Sequence, residues 1–253
     1  MKPQIRIFKN VEDLSQHAAN LFAEQATEAI QERGRFLVAL NGGSTPTRML
    51  EFLGNKFRES VDWSRTYIFW GDERIVPPDH PENSYGQARD LFLQHVPIPT
   101  GNVRRVQTEL GADEAVREYS FTLKQFVEPP LEHIRFDLVY LGMGEDGHTA
   151  SLFPGSPMAS SEPVILVTAE YQGRPAQRVT LTPLVINNAR MVAFMATGEK
   201  KALTLTEVLS GRYDPERYPA QRIDLKAGKI IWLVDEDAAS RLPRNLVRKF
   251  CEG

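Results

Sequence analysis

The chain has 253 residues, with 30 Lys+Arg against 33 Asp+Glu, a formal net charge of −3. A nearly balanced charge without a long Lys/Arg block argues against nucleic acid as the main partner, and no apolar run approaches the roughly 18 residues of a membrane span. One cysteine, Cys251, excludes an internal disulfide and a cysteine-based zinc site, so a reducing compartment fits and small-molecule chemistry becomes the default.

In chain order, strands are predicted over 5–8, 36–40, 67–70, 136–141, 164–167, 191–196 and 229–234. Between the first two, Val11, Leu14, Ala18, Leu21, Ala26, Ala29 and Ile30 recur at near-helical spacing, with Asn10 as cap and Gly34 as stop. Val116, Tyr119, Leu123, Phe126 and Val127 predict a second helix, ended by Pro129 and Pro130. Ala202, Leu205, Val208 and Leu209 predict a third, ended by Gly211. This alternation is the signature of a largely parallel sheet covered by helices, an α/β fold. The Pro/Gly-rich stretches 76–81, 155–163 and 213–219 are the size of surface loops, and no repeat or linker is present. One domain over 1–253 is therefore expected; the sequence leaves the oligomeric state open, a monomer being compatible with it. The start, MKPQIRIFKN, has no apolar signal core, and Cys251 lies third from the end, where a prenylation box needs it fourth. A cytoplasmic protein is expected.

Four segments carry chemistry. In LNGGSTPTRML, residues 40–50, a strand enters Gly42-Gly43, then Ser44-Thr45-Pro46 and a helix. Pro46 suits the first helical turn and Ser44 or Thr45 the cap; free N–H groups and the helix dipole make an anion site. The same residues also read as a tight turn with no ligand. Over 67–85 a strand ends on Gly71, Asp72, Glu73 and Arg74, where ligands bind open parallel sheets, although a solvated turn with a local ion pair would look alike. Over 136–157 a buried-type strand runs into Gly142, Gly144, Asp146, Gly147 and His148. Three glycines allow close approach to the backbone, and a carboxylate precedes the histidine by two residues. His17, His80, His95 and His133 have no such surroundings and are taken as packing or surface residues. Over 178–205 a strand leads through Thr197-Gly198 into a helix with Lys200 and Lys201 in its first turn. Cations there oppose the helix dipole unless an anion is bound.

Together these segments resemble the 6-phosphogluconolactonase family from about residue 36 to 232: GGSTP, WGDERIVP, GMGEDGHTASLFPG, RVTLT and TGEKKA stand in that order. Where the family usually has Ser-Asn-Tyr, this chain has Asn83-Ser84-Tyr85. The resemblance implies a Rossmann-like fold and hydrolysis of 6-phospho-D-glucono-1,5-lactone to 6-phosphogluconate, the second step of the oxidative pentose phosphate pathway. A lactone is an activated ester, so no covalent nucleophile, cofactor or metal is called for, and no GxSxG elbow appears. What is needed is a base for water, a stabiliser for the oxyanion and an anchor for the phosphate. By resemblance His148 is the base, oriented by Asp146. Gly42, Gly43, Ser44 and Thr45 bind phosphate or sugar hydroxyls, Lys201 and Arg178 add charge, and Asp72 and Gly144 line the substrate side. Arg74 serves either the phosphate or the oxyanion. Two alternatives stay open. An amino-sugar phosphate deaminase or isomerase would use Asp72 as base, but such enzymes carry DEY and FNEP where this chain has DER and SLFP. A non-enzymatic sugar-phosphate sensor would normally carry a helix-turn-helix, for which the expected strand at 5–8 leaves no room.

Overall fold

The computed structural model describes residues 4–246; Cys251 lies outside the described residues. The elements are β1 (Gln4–Phe8), α1 (Val11–Arg33), β2 (Phe36–Leu40), α2 (Thr47–Lys56), β3 (Thr66–Trp70), β4 (Asp72–Arg74), α3 (Ser84–Leu91), β5 (Val103–Arg104) and α4 (Ala112–Lys124). They continue with β6 (Leu138–Gly142), β7 (Val164–Thr168), β8 (Gln177–Leu181), α5 (Pro183–Ile186), β9 (Met191–Ala196), α6 (Ala202–Ser210), β10 (Lys229–Asp235) and α7 (Glu236–Ala239).

Seven strands form a parallel sheet in the order β1-β10-β9-β6-β2-β3-β5. Every residue of β2 is buried, as a strand covered on both faces must be. Its side chains alternate: Phe36, Val38 and Leu40 pack with Leu14, Phe22, Leu53 and Phe92 from α1, α2 and the segment after α3. Leu37 and Ala39 pack on the opposite face with Tyr119, Val185 and Leu205 from α4, α5 and α6. Helices thus cover both faces, as the alternation predicts. Asn10 caps α1 by accepting a hydrogen bond from the Asp13 N–H at 2.9 Å, and Gly34, at φ 77°, ends it.

From β2 the chain steps outward through β3 to β5, whereas from β6 it steps the other way through β9 to β10. The reversal opens a crevice beyond the carboxyl ends of β2 and β6, the place where such sheets bind ligands.

Three sequence expectations need correction here. The strand over 164–167 is β7, and it belongs to a separate antiparallel sheet, β4-β8-β7, not to the parallel one. Asp72-Glu73-Arg74 is a buried strand of that second sheet and not a solvated turn. Gly71 joins the sheets: its N–H donates to Leu40 O and its carbonyl accepts from Leu181 N–H, both at 2.8 Å. The second helix stops at Lys124, before the prolines, and Phe126, buried, and Val127, partly buried, pack on the core from the segment that follows it. Among the described residues no helix is long and apolar enough to cross a membrane.

Candidate active site

The loop after β2 is shaped by its glycines. Gly43 has φ 98°, a left-handed conformation, and a Cβ on Gly42 would fall 2.1 Å from Ser84 Oγ. Helix α2 begins at Thr47 with Pro46 at its N-cap and no side-chain cap, so neither Ser44 nor Thr45 spends its hydroxyl on the helix. That corrects the capping expectation. It leaves both hydroxyls, together with the N–H groups of Gly43, Ser44 and Thr45, without an internal partner among the described residues.

On β4, the period of two sends neighbouring side chains to opposite sides. Asp72 and Arg74 line the cleft, while Glu73 turns away and accepts hydrogen bonds from the N–H groups of Arg74 (2.9 Å), Ser84 and Tyr85 (both 2.8 Å). Burial pushes the Glu73 carboxyl up to about 7 against the pull of these donors. Asp72 Oδ2 accepts from Ser151 Oγ at 2.6 Å. Arg74 lies opposite Arg178 on β8, which puts two guanidinium groups side by side on one face. Arg74 donates through Nη1 to Glu82 O at 3.0 Å, and its Nε has no hydrogen-bond partner. Arg178 donates through Nε to Pro175 O, its Nη2 has no partner, and burial holds its pKa below the ordinary arginine value.

The loop after β6 carries the histidine. His148 Nδ1–H donates to Asp146 Oδ1 at 2.6 Å, and the His148 backbone N–H donates to the same oxygen at 3.1 Å. A carboxylate at Nδ1 fixes the proton there and leaves the lone pair on Nε2. Burial alone would raise the Asp146 pKa, but the hydrogen bond from His148 and its charge outweigh that and hold the carboxyl below its ordinary range. Gly144 is required by contact: a Cβ there would lie 2.2 Å from His148 Nδ1 and 2.6 Å from Asp146 Oδ1.

Lys201 closes the cleft from the end of β9. The two lysines lie in a 3-10 turn, Glu199–Lys201, and α6 starts only at Ala202, one turn later than predicted. Burial lowers the Lys201 pKa, and its ammonium makes no hydrogen bond or ion pair among the described residues, the backbone N–H alone donating to Gly198 O.

Gly42, Gly43, Ser44, Thr45, Asp72, Arg74, Gly144, His148, Arg178 and Lys201 all line one cleft of about 280 Å³. Asp146 sits behind His148 instead of in the lining. Sequence reasoning missed Asn41, Glu145, Tyr171, Gln172 and Arg174. Asn41 directly follows β2 and keeps a buried Oδ1 without a partner. The others include the tip of the β7–β8 hairpin, where Gln172 and Gly173 both have positive φ and the Arg174 N–H closes the turn on Tyr171 O at 3.0 Å. A two-residue turn between strands signals such a tip, but Gln-Gly is a weak version of the Asn-Gly signature. Among the described residues no group of three or more His, Cys, Asp or Glu is gathered to hold a metal ion.

A family model described as glucosamine-6-phosphate isomerases/6-phosphogluconolactonase matches residues 9–232. The chain belongs to this family. It is 36% identical over 244 residues to a 6-phosphogluconolactonase of Synechocystis, covering 96% of this chain and 99% of that one. It is 37% identical over 248 residues to a probable chloroplastic 6-phosphogluconolactonase of rice (Oryza sativa subsp. indica), covering 94% of this chain and 76% of the relative. The solved 6-phosphogluconolactonase of Trypanosoma brucei superposes with a TM-score of 0.82 at 27% identity, over 96% of this chain and 99% of that one.

Proposed function

We propose that the protein hydrolyses 6-phospho-D-glucono-1,5-lactone to 6-phosphogluconate, with His148 as the general base. The observation that carries the assignment of roles is the His148–Asp146 pair, closed at 2.6 Å on Nδ1 and open at Nε2, beside a wall of incompletely paired cations. Nε2 takes a proton from water as the hydroxyl oxygen bonds to the lactone carbonyl carbon and the carbonyl electron pair moves onto oxygen. Collapse of that intermediate breaks the bond to the ring oxygen, which takes the proton back from Nε2. Asp146 keeps the imidazole in the required tautomer and balances its charge. Ser44, Thr45 and their N–H groups hold the phosphate together with Lys201 and Arg178, because a dianion supplies the partners these groups lack. Arg74 balances the negative charge that develops during attack.

The deaminase or isomerase reading needs Asp72 as a free base. Its Oδ2 is engaged by Ser151, and the residue is buried, which favours a positioning role. A lactone hydrolysis assay corrected for spontaneous ring opening, run beside ammonia release from glucosamine 6-phosphate, tests the reading. Enzymatic ammonia release without lactone hydrolysis would overturn it. The reading extends to a single cytoplasmic domain acting as a monomer on a small phosphosugar, without a nucleic-acid or membrane partner; sedimentation at working concentration checks the monomer.

A further inference from the structure

His148 is held between two aromatic rings from different parts of the fold. Phe153, from the same loop, lies 4.5 Å away between ring centroids at 35°, and Tyr171, from the hairpin tip, stands 4.7 Å away at 80°. Asp146 closes a third side. A histidine that takes a proton from water becomes a cation during the step, and a cation directed at the face of an aromatic ring is stabilised by the ring quadrupole more than a neutral imidazole is. Interactions that strengthen on the way to the transition state are the ones that raise kcat. Phe153 already carries the Arg178 guanidinium 5.2 Å from its centroid, whereas no cation lies over Tyr171 among the described residues.

We propose that Tyr171 is a positioning residue for the base, whose ring favours the imidazolium formed as water attacks over the neutral imidazole that precedes it. The kinetic half of this rests on the lactonase reading; the charge preference is a property of the free protein. The two-residue turn fixes the backbone from which the ring projects, since Tyr171 O accepts the Arg174 N–H across Gln172 and Gly173. Other charges facing His148 are Asp146 and Glu145 from its own loop, which favour the cation, and Arg174 and Arg178, which oppose it. Substitution of Tyr171 removes none of these four charges.

The test follows the His148 ring by NMR pH titration in the unliganded protein, with His148→Asn assigning the signal, beside the pH profile of lactone hydrolysis. Tyr171→Leu keeps bulk and removes the ring; Tyr171→Phe keeps the ring; Tyr171→Met is a second ring-free variant should Tyr171→Leu not fold. In the ring-free variants the midpoint is expected to fall by about half to one pH unit, kcat to fall roughly 3- to 10-fold and the acid limb to move down, with KM little changed. Tyr171→Phe should stay within about twofold of the unmodified protein. An unmoved midpoint in a folded ring-free variant, or an equal fall in Tyr171→Phe, overturns the proposal. A shifted midpoint in a protein that does not hydrolyse the lactone would sustain the ring's role and sink the lactonase reading instead.

Discussion

The two ends of the parallel sheet use charge in opposite ways. At the amino ends, just before β6, Asp137 is buried and accepts from Arg33 Nε at 2.9 Å and Leu37 N–H at 2.8 Å, with Arg190 Nε 3.3 Å away. Around it Arg35 pairs with Glu128 and Arg135 donates to Ala227 O. Burial there raises the Asp137 pKa and lowers that of Arg190, so desolvation outweighs attraction for both. At the carboxyl ends, the Lys201 ammonium has no hydrogen bond or ion pair among the described residues, Arg178 Nη2 and Asn41 Oδ1 are buried and unmatched, and Arg74 reaches a carboxylate, Glu82, only at 3.8 Å. Similar residue types thus gather on buried Asp137 at one edge, although the Nε atoms of Arg135 and Arg190 lack a hydrogen-bond partner there, and face no carboxylate closer than 3.8 Å to Arg74 at the other. An unmatched buried polar group costs about 1–3 kcal/mol, so a cluster of them marks where a ligand completes the structure.

If the comparison is right, removing groups at the open edge should cost activity with little loss of stability. The largest effect is expected from His148→Asn: kcat should fall ~10²–10⁴-fold, as loss of a general base typically does, with an unchanged urea midpoint. Near-normal turnover in the folded variant would end the assignment. Next comes the closed edge. Asp137→Ala deprives the Leu37 N–H and Arg33 of their acceptor and Arg190 of its ion-pair partner, and a loss of roughly 2–4 kcal/mol is expected, discounted because Arg33 and Arg190 are partly exposed. Residual folded enzyme should keep its kcat, as shown by denaturant melts beside single-concentration assays.

Lys201→Ala should act mainly on KM, by about one to two decades, because the phosphate is remote from the bond that breaks and is held alike in ground and transition states. Weaker competition by inorganic phosphate should accompany it; unchanged KM and unchanged inhibition would move the anchor elsewhere. Smaller still is the contrast on β4. Arg74→Ala should lower kcat/KM more than Asp72→Asn, since Asp72 is committed to Ser151 while Arg74 keeps an unmatched Nε. The reverse order in the lactone assay would give Asp72 a catalytic role.

Six of the seven parallel strands were legible because buried strands declare themselves as short apolar runs: strands 36–40 and 191–196 fall where the pattern puts them, whereas the two-residue edge strand β5, Val103–Arg104, carries no such run. The cleft loops were legible too, their glycines being forced by backbone angle or by contact, as at Gly43 and Gly144. The second sheet was not legible. β4 has three residues, all charged, and they are buried only because β8 pairs with them across about a hundred positions of sequence. Nothing local to Asp72-Glu73-Arg74 reports that pairing, and charge in a short segment ordinarily means solvent. Tyr171 and Arg174 escaped for a related reason: their place depends on where a hairpin tip lands, which is a property of two sheets and of no single stretch. The capping expectation at Ser44 and Thr45 failed because residues suited to capping are also suited to binding an anion, and here they are left for the cleft.

Glu73 lies between the two kinds of edge, on the strand of Asp72 and Arg74 but fully engaged by three N–H donors, and it gives the finest test of the comparison. Its carboxyl is raised to about 7 in the folded chain, above the ordinary value of 4.5, with burial the largest cause. A carboxyl raised on folding binds a proton more tightly in the native state than in the unfolded one. Its contribution is therefore fully present below the unfolded value and is lost as pH rises through the folded one. The unmodified protein should lose stability from about pH 5 to about pH 8, by roughly 1–3 kcal/mol from this group. Glu73→Gln cannot titrate, and it replaces one acceptor oxygen by an amide that faces an N–H. It should be less stable than the unmodified protein by about 1–2 kcal/mol at the acid end, with the gap closing toward the alkaline end. Urea midpoints across that range measure the gap directly. A gap that widens with pH would mean that Glu73 is ionised in the folded protein, the three donors having outweighed burial, and β4 would then carry a buried anion directly between its two cleft-facing residues.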